Sequence, residues 1–219
     1  YEIEMEVNNN SVGVGSDYDT SNKLTASIKK VIRIIMSGMQ NTKFPITYTE
    51  QKEIINEYLS MVHGNEIPKF VSPKHFIGPS SYTLQIENVV DENDSNIPNI
   101  NNIYCVTDKA DGERRFLYIS KVGKIYMINT NMQVIFTGTI TTQQDIFGTL
   151  IDGEYIKYDK NKKYINLYAC FDIYYMNGKD VRNIPFVLTD EGNTTFRLYH
   201  LQQLISSLKF TPVINTLDT

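Results

Sequence analysis

A nearly continuous series of strand-like segments fills the second half of the chain and limits the folds open to it. From Ile103 onward, short runs rich in Ile, Val, Tyr and Phe are separated by turns such as "KVGK". These residue types favour strands, and short turns join neighbouring strands in antiparallel order. The segments are "IYCVT", "RRFLYIS", "IYMIN", "QVIFTGTI", "GTLIDGEYIKY" and "YINLYACFDIYYM". The sequence therefore predicts an α+β domain dominated by an antiparallel sheet.

Three amphipathic helices are predicted outside these strands. The first follows a cap near Thr20 or Ser21, the second covers about residues 49–63 and stops at Gly64, and the third covers about residues 195–209. Apolar residues recur at helical spacing in each, at Leu24, Ile28, Val31, Ile32, Ile35 and Met39, then Ile54, Ile55, Tyr58, Leu59 and Val62, then Leu198, Leu201, Leu204, Ile205 and Leu208. We expect the first two helices to link two units.

The overall composition describes a globular chain. Of its 219 residues, 41% are hydrophobic and 21% charged, which is enough for one good core or parts of two. No run approaches the roughly 18 apolar residues of a membrane span, and the N-terminus has no signal-peptide layout. We therefore expect a cytoplasmic protein without a membrane partner.

Charge and cysteine content narrow the class further. The net charge of -4 disfavours bulk electrostatic binding of nucleic acid, so affinity for a polyanion would have to be local. The two cysteines, Cys105 and Cys170, lie in apolar strand-like runs. They are predicted to be buried thiols of a reducing compartment and not a disulfide or metal site.

The opening segment "YEIEMEV" alternates without interruption. In a strand, Glu2, Glu4 and Glu6 would share one face at intervals of about 7 Å. Aligned like charges repel, so a bound divalent cation is one way to hold such a row, and a solvated strand face is the other interpretation.

The segment "DKADGERR" raises a question of chemistry. A lysine amine is protonated at neutral pH and becomes a nucleophile only through desolvation or neighbouring positive charge, which Arg114 or Arg115 would supply to Lys109. Gly112 permits a tight turn and close approach to a ligand, and Asp111 would orient the lysine or the loop. An arginine fork suits a phosphate. Such a loop suits attack on a nucleotide α-phosphate, although a solvated surface turn has a similar composition.

The pattern Lys-x-Asp-Gly-x-Arg, from Lys109 to Arg114, resembles motif I of the covalent nucleotidyltransferases, which include DNA ligases, RNA ligases and mRNA capping guanylyltransferases. Downstream, "LIDGEYI" resembles motif III and "YACFDIYYMNG" resembles motif IIIa, in the family's order and spacing. The resemblance covers about residues 70–175.

The resemblance implies a role for each matching residue. Lys109 would attack the α-phosphorus and hold the nucleoside monophosphate, with Asp111 and Gly112 in the same nucleotide-binding loop. Arg114 would contact the nucleotide, Glu154 would act near the ribose and the metal, and Phe171 would stack on the base. The alternatives are that Phe171 is an ordinary core residue and Glu154 an edge-strand carboxylate. In-line displacement at phosphorus also implies Mg²⁺ or Mn²⁺.

Two departures from the family pattern are visible. The motif Ia arginine is not evident, because "IYMINTNMQVIF" offers only Asn129 and Asn131 there. Motifs IV to VI are missing as well, since Glu191 and Gly192 lack the apolar strand context of motif IV. We therefore expect a fragment that stops inside the catalytic domain and is inactive by itself.

Two further segments favour the capping branch. "FIGPSSYTL" resembles the Pro/Gly segment upstream of the lysine in capping guanylyltransferases. "YEIEMEV" resembles the metal-binding Glu-x-Glu-x-Glu strand of tunnel-type RNA triphosphatases, which implies Glu2, Glu4 and Glu6 as metal ligands. This order is that of multifunctional capping enzymes of large DNA viruses, which implies host cytoplasm or virion as the location.

The predicted function is transfer of GMP from GTP, through lysyl-GMP, to the 5′-diphosphate end of RNA, with a fused RNA 5′-triphosphatase. Residues 1–64 would be the end of the triphosphatase domain plus linking helices, and residues 65–219 the truncated guanylyltransferase domain. A methyltransferase domain or subunit and the transcription machinery are candidate partners. The alternatives are an ATP-dependent DNA or RNA ligase that forms lysyl-AMP and an inactive nucleotide-binding or assembly module.

Overall fold

The structure is a computed structural model that describes residues 2–64, 66–90, 97–188 and 195–213. The described helices are α1 (Ser21–Gln40), α2 (Tyr48–His63) and α3 (Arg197–Ser207), with 3-10 turns at Asn9–Ser11, Pro73–His75, Ile86–Asn88 and Gln144–Ile146. The strands are β1 (Glu113–Ile119), β2 (Lys124–Asn129), β3 (Val134–Ile140), β4 (Thr149–Tyr158), β5 (Tyr164–Met176), β6 (Lys179–Asp180) and β7 (Thr211–Pro212). The predicted combination of helices and an antiparallel sheet is confirmed.

The described strands form one antiparallel sheet in the order β6-β5-β4-β1-β2-β3-β7. Strand β1 lies at its centre and pairs with β2 on one side and β4 on the other. The predicted turn "KVGK" joins β1 to β2, and Gly123 adopts a φ of 79° there. A side chain at this left-handed position would be strained, so glycine suits the turn.

Helix α2 covers one face of the sheet. Thr47 caps its start by accepting a hydrogen bond from the Glu50 amide at 3.1 Å, and Gly64 follows its last residue. Its buried side chains share one core with the sheet, and this core contains Ile54, Ile55, Tyr58, Leu59, Phe116, Tyr118, Tyr126 and Ile128. The predicted helix is therefore confirmed, and its buried side chains belong to the same core as the sheet.

Helix α3 covers the opposite face. Leu201 and Leu204 pack with Ile119, Ile151 and Ile173. Because side chains alternate along a strand, these three isoleucines lie on the face of the sheet away from α2. The helix begins and ends within two residues of the predicted bounds. Ile205, predicted on the apolar side, is 48% exposed.

Helix α1 forms where predicted but does not bury its apolar side. Thr20 caps its start by accepting a hydrogen bond from Lys23, and no residue of the helix is buried. Val31, Ile32 and Met39 are all exposed. The periodicity of apolar residues therefore predicted the helix correctly, but it did not predict that the apolar side would remain exposed. Among the described residues, no helix has both the length and the apolar character needed to cross a bilayer.

The predicted strand "IYCVT" is wrong. Residues 103–107 form no strand, and the side chains of Ile103 and Val106 are each 98% exposed. No described strand pairs with the segment, and β1, the next strand along the chain, already pairs on both sides. A strand needs a neighbour for its backbone hydrogen bonds. Cys105 is consequently exposed instead of buried, whereas Cys170 is partly buried. Burial raises the pKa of the Cys170 thiol to about 11.

The acidic opening also differs from its prediction. Residues 2–7 form no strand and are exposed. An isolated strand is not stable in water, and no described strand pairs with this segment. The assignment of these residues to a triphosphatase tunnel, like the domain division at residue 64, stays a prediction. A division at 64 would separate α2 from the core it shares with the sheet.

Candidate active site

The predicted motifs I and III meet at the start of β1. Arg114 lies directly across from Glu154 in the pairing of β1 with β4. The Gly112 amide donates a hydrogen bond to Glu154 Oε1 at 3.1 Å. A Cβ atom at position 112 would lie 2.5 Å from the Tyr155 carbonyl oxygen, closer than real Cβ atoms approach. Only glycine therefore lets the loop pass this close to the motif III strand.

Arg114 is held by a fully buried carboxylate. Its Nε donates to Asp152 Oδ1 at 3.1 Å and its Nη2 to Asp152 Oδ2 at 2.5 Å. The Tyr174 hydroxyl donates to the same Oδ2 at 2.6 Å. These hydrogen bonds raise the pKa of Arg114 above its ordinary value, and burial followed by the Asp152 charge raises that of Tyr174. The result is a bidentate pair with fixed geometry.

The upstream segment closes over the same arginine. Arg114 Nη1 donates to the carbonyl of Pro79 at 2.5 Å. The guanidinium carbon lies 5.5 Å from the centre of the Phe76 ring, and Phe76 stacks on Phe116 with 3.9 Å between ring centres. A Cβ at Gly78 would lie 2.5 Å from Arg114 Nη2. The "FIGPSSYTL" segment thus packs directly against motif I.

Phe171 sits at an irregularity of β5. Asp152 pairs with Asp172 whereas Gly153 pairs with Cys170, so Phe171 is the extra residue of a bulge. Bulges re-aim side chains and are common beside active sites. The Phe171 ring is partly buried, and its centre lies 5.7 Å from the guanidinium carbon of Arg114. The structure therefore brings Phe171, Arg114, Glu154 and Gly112 into one neighbourhood.

A second arginine holds the other side of this bulge. Arg197, the first residue of α3, donates through Nε and Nη2 to Asp172 at 2.8 and 3.0 Å. Its Nη1 donates to the carbonyl oxygens of Ile184 and Arg182. Hydrogen bonding to Asp172 raises the pKa of Arg197. Sequence reasoning missed both arginine partners, although acidic residues inside the apolar runs "LIDGEYI" and "CFDIYYM" were a signal for buried pairs.

Lys109 lies apart from these contacts. It is exposed, and its Nζ donates to the carbonyl of its neighbour Ala110 at 3.3 Å. Within the described part of the chain, no hydrogen bond joins it to Asp111, which is also exposed. Both arginines that were expected to activate it are paired with carboxylates, Arg114 with Asp152 and Arg115 with Glu113, each at 2.5 Å. The predicted activation of Lys109 stays a prediction.

No converged metal site is present in the described ranges. They contain no group of three or more His, Cys, Asp or Glu side chains arranged to hold an ion. Glu2, Glu4 and Glu6 therefore remain predicted metal ligands, and they form no such group in this structure. The motif IV candidate at Glu191 and Gly192 lies outside the described residues.

Together, the sheet, the lysine loop and the convergence of motifs I, III and IIIa define a nucleotidyltransferase domain. The family described as mRNA capping enzyme, catalytic domain, matches residues 12–209, so the chain belongs to this family. The match begins after the acidic opening segment and includes α1 and α2.

A known relative agrees with this assignment. The chain is 31% identical over 183 residues to the probable mRNA-capping enzyme of Acanthamoeba polyphaga mimivirus. The aligned region is 83% of this chain but 13% of the relative. The chain thus corresponds to a small part of that large viral protein.

Proposed function

We propose that the chain carries the nucleotide-binding part of an mRNA guanylyltransferase, with GTP as donor and the 5′-diphosphate end of RNA as acceptor. The observation that carries the proposal is the meeting of three motifs around Arg114. The Glu154 contact with Gly112 ties motif III to the lysine loop, and the Phe171 bulge faces the same arginine. The family membership supports the same activity.

Each residue has a role that fits its contacts. Arg114 uses three of its five N–H groups on Asp152 and Pro79, which leaves two for a nucleotide. Glu154 uses Oε1 on Gly112, so Oε2 is available to accept from a ribose hydroxyl. Phe171 presents an aromatic face for the guanine base, as aromatic residues do for bases in nucleic-acid sites.

The first step is attack by the neutral Lys109 amine on the α-phosphorus of GTP. The Nζ–P bond forms while the bond from that phosphorus to the oxygen bridging to the β-phosphate breaks. Pyrophosphate leaves with the electron pair, and the amine loses a proton. Because Lys109 is exposed in this structure, we expect bound GTP to shield its amine from water before the attack.

The second step transfers GMP to the RNA and regenerates the free lysine. An oxygen of the terminal phosphate of 5′-diphosphate RNA attacks the same phosphorus, the P–N bond breaks, and the amine takes up a proton. A divalent ion would neutralise the departing pyrophosphate, and the GTP phosphates would bring it. The described residues do not converge on a ligand set, so no residue is assigned to it.

The proposal also includes a triphosphatase before this domain, which would produce the diphosphate end. That part rests on the alternation of Glu2, Glu4 and Glu6 in the sequence. Metal-dependent release of γ-phosphate from triphosphate-ended RNA by the natural protein, lost in Glu4→Ala, is its test.

The central test is covalent labelling of the natural protein. With α-labelled GTP and Mg²⁺ or Mn²⁺, we expect an acid-labile, alkali-stable label at Lys109 that Lys109→Arg abolishes, because arginine keeps the charge without offering an amine. Lys160→Arg, an exposed lysine in the β4–β5 turn, is the matched control and should label normally.

Three outcomes contradict the proposal. Label retained by Lys109→Arg would place the nucleophile elsewhere. Transfer from ATP in preference to GTP would favour a ligase, and no transfer by the natural protein from either nucleotide would favour an inactive binding module.

A further inference from the structure

A groove of about 1010 Å³ lies on the face of the sheet opposite α2. We call it the lateral groove, and its floor includes Arg115, Met127 and Ile135, which alternate with side chains buried under α2. Its far wall is the last two turns of α1, at Ile34 and Gly38. The groove is separate from the Arg114 and Phe171 cluster, which lies on the other side of β1.

The lateral groove combines aromatic rings with cations. The Tyr158 and Tyr164 rings meet edge to face with centres 5.7 Å apart, and each residue is more than half exposed. Arg115, which also pairs with Glu113, lies over the Tyr155 ring at 4.9 Å. Lys157 Nζ lies 5.8 Å from the centre of the Tyr158 ring. Exposed aromatic faces beside basic side chains form the surfaces on which single-stranded nucleic acid stacks.

Helix α1 extends the wall with positive charge. Across its 20 residues it carries four basic side chains, Lys23, Lys29, Lys30 and Arg33, and no acidic one, and Lys23 pairs with Asp19 before the helix at 3.0 Å. At 100° per residue, Lys30 falls on the same side of the helix as Ile34 and Gly38 of the groove wall. In a chain of net charge -4, a basic helix beside an aromatic groove is complementary to a polyanion.

The groove ends at motif I. Asp111 and Gly112 line it, so a strand lying in the groove would have one end at the loop that carries Lys109. Two acidic residues lie at this end: Glu113 forms an ion pair with Arg115 at 2.5 Å, and Asp111 is exposed. A single strand with a charged 5′ terminus fits this layout because its phosphates meet the basic wall, its bases meet the tyrosines, and its terminus meets the nucleophile loop.

We propose that the lateral groove binds the first nucleotides of the acceptor RNA and delivers the 5′ end to the Lys109 loop. The inference rests on the proposed function and adds the path of the acceptor. Recognition through phosphates and stacking would accept RNA of any sequence.

The test is RNA binding by the natural protein with a 3′-labelled, 5′-diphosphate single strand of about 12 nucleotides, followed by fluorescence anisotropy across a salt series. We expect Lys30→Glu with Lys157→Glu to weaken binding and to lower the slope of log affinity against log salt by about 1.4, the value for two lost phosphate contacts on a single strand. Tyr158→Ala should weaken binding by about tenfold through lost stacking. Lys52→Glu, an exposed charge reversal on α2 across the sheet, should leave binding unchanged.

Lysyl-GMP formation without RNA is measured on the same variants. We expect it to stay at the wild-type level in the groove variants while transfer of GMP to RNA falls, because their residues lie outside the nucleotide cluster. Wild-type affinity and salt slope in the groove variants would overturn the inference. So would a wild-type dimer that these variants dissociate without loss of RNA affinity, since the groove would then be an interface between copies. Absence of lysyl-GMP in the wild type would instead count against the proposed function. The RNA-binding measurement can still be interpreted in that case, because it does not depend on lysyl-GMP formation.

Discussion

Among the single residues of the site, Asp152 has the most demanding environment. Its carboxylate is fully buried, and it receives two hydrogen bonds from Arg114 and one from Tyr174. A buried charge is tolerated only when it is paired and its oxygens are bonded. Asp152 therefore fixes the orientation of Arg114 and, through it, the position of the two N–H groups proposed to bind the nucleotide.

We expect Asp152→Ala to lower the free energy of unfolding by about 3–5 kcal/mol, because removal of one partner leaves a partly buried charge unpaired. Tyr174→Phe, which removes one hydrogen bond but keeps the ion pair, should cost about 1 kcal/mol. Asp145→Asn, at an exposed position, should change stability by less than about 0.5 kcal/mol. Urea denaturation followed by circular dichroism measures all three. Equal losses for Asp152→Ala and Tyr174→Phe would show that the ion pair contributes nothing beyond the tyrosine bond.

At the scale of elements, α3 is attached to the sheet through Arg197 as well as through its leucines. Arg197 binds Asp172, the residue that follows the Phe171 bulge, and also reaches the carbonyl oxygen of Ile184. Bulged strands are locally unpaired, so an anchor beside the bulge limits its movement. The helix thereby supports Phe171, the side chain proposed to stack on the base.

Arg197→Ala is expected to destabilise the protein by about 2–3 kcal/mol, because the side chains of Arg197 and Asp172 are 16% and 15% exposed and the pair is charged. The comparison is Arg182→Ala, whose pair with Asp180 is 38% and 37% exposed and should contribute no more than about 1 kcal/mol. Thermal unfolding monitored by circular dichroism distinguishes the two variants. A larger loss for Arg182→Ala would contradict the anchoring role of Arg197.

Elements defined by local pattern were predictable, and those defined by distant partners were not. Periodicity located α1, α2 and the strands from β1 to β5, since it reflects which side chains share a face. It failed at "IYCVT" because no local pattern tells how many edges of a sheet remain unpaired. It also missed the Arg114–Asp152 and Arg197–Asp172 pairs, whose partners lie 38 and 25 residues apart in the sequence. The motif residues were predictable, whereas the contacts that orient them required the fold.

For the whole molecule, the main question is whether residues before position 64 fold with the sheet. Leu59 and Tyr58 of α2 are fully buried, and they share a core with Phe116 of the central strand. The Tyr58 hydroxyl also donates to the carbonyl of His75 at 2.6 Å, which joins the helix to the segment over Arg114. These contacts predict that α2, the segment around His75 and the sheet unfold as one cooperative unit.

Leu59→Ala is expected to lower the free energy of unfolding by about 2–5 kcal/mol, the usual cost of a truncated core leucine. Ile205→Ala, at a position 48% exposed on α3, should cost much less because it leaves no closed cavity. Far-ultraviolet circular dichroism follows the helices, and tyrosine fluorescence follows the sheet-rich core. In both variants and in the wild type, the two signals should change at the same urea concentration. If the helical signal of Leu59→Ala is instead lost at lower urea than the tyrosine signal, α2 is an independent linking element, and the division of the chain at residue 64 gains support.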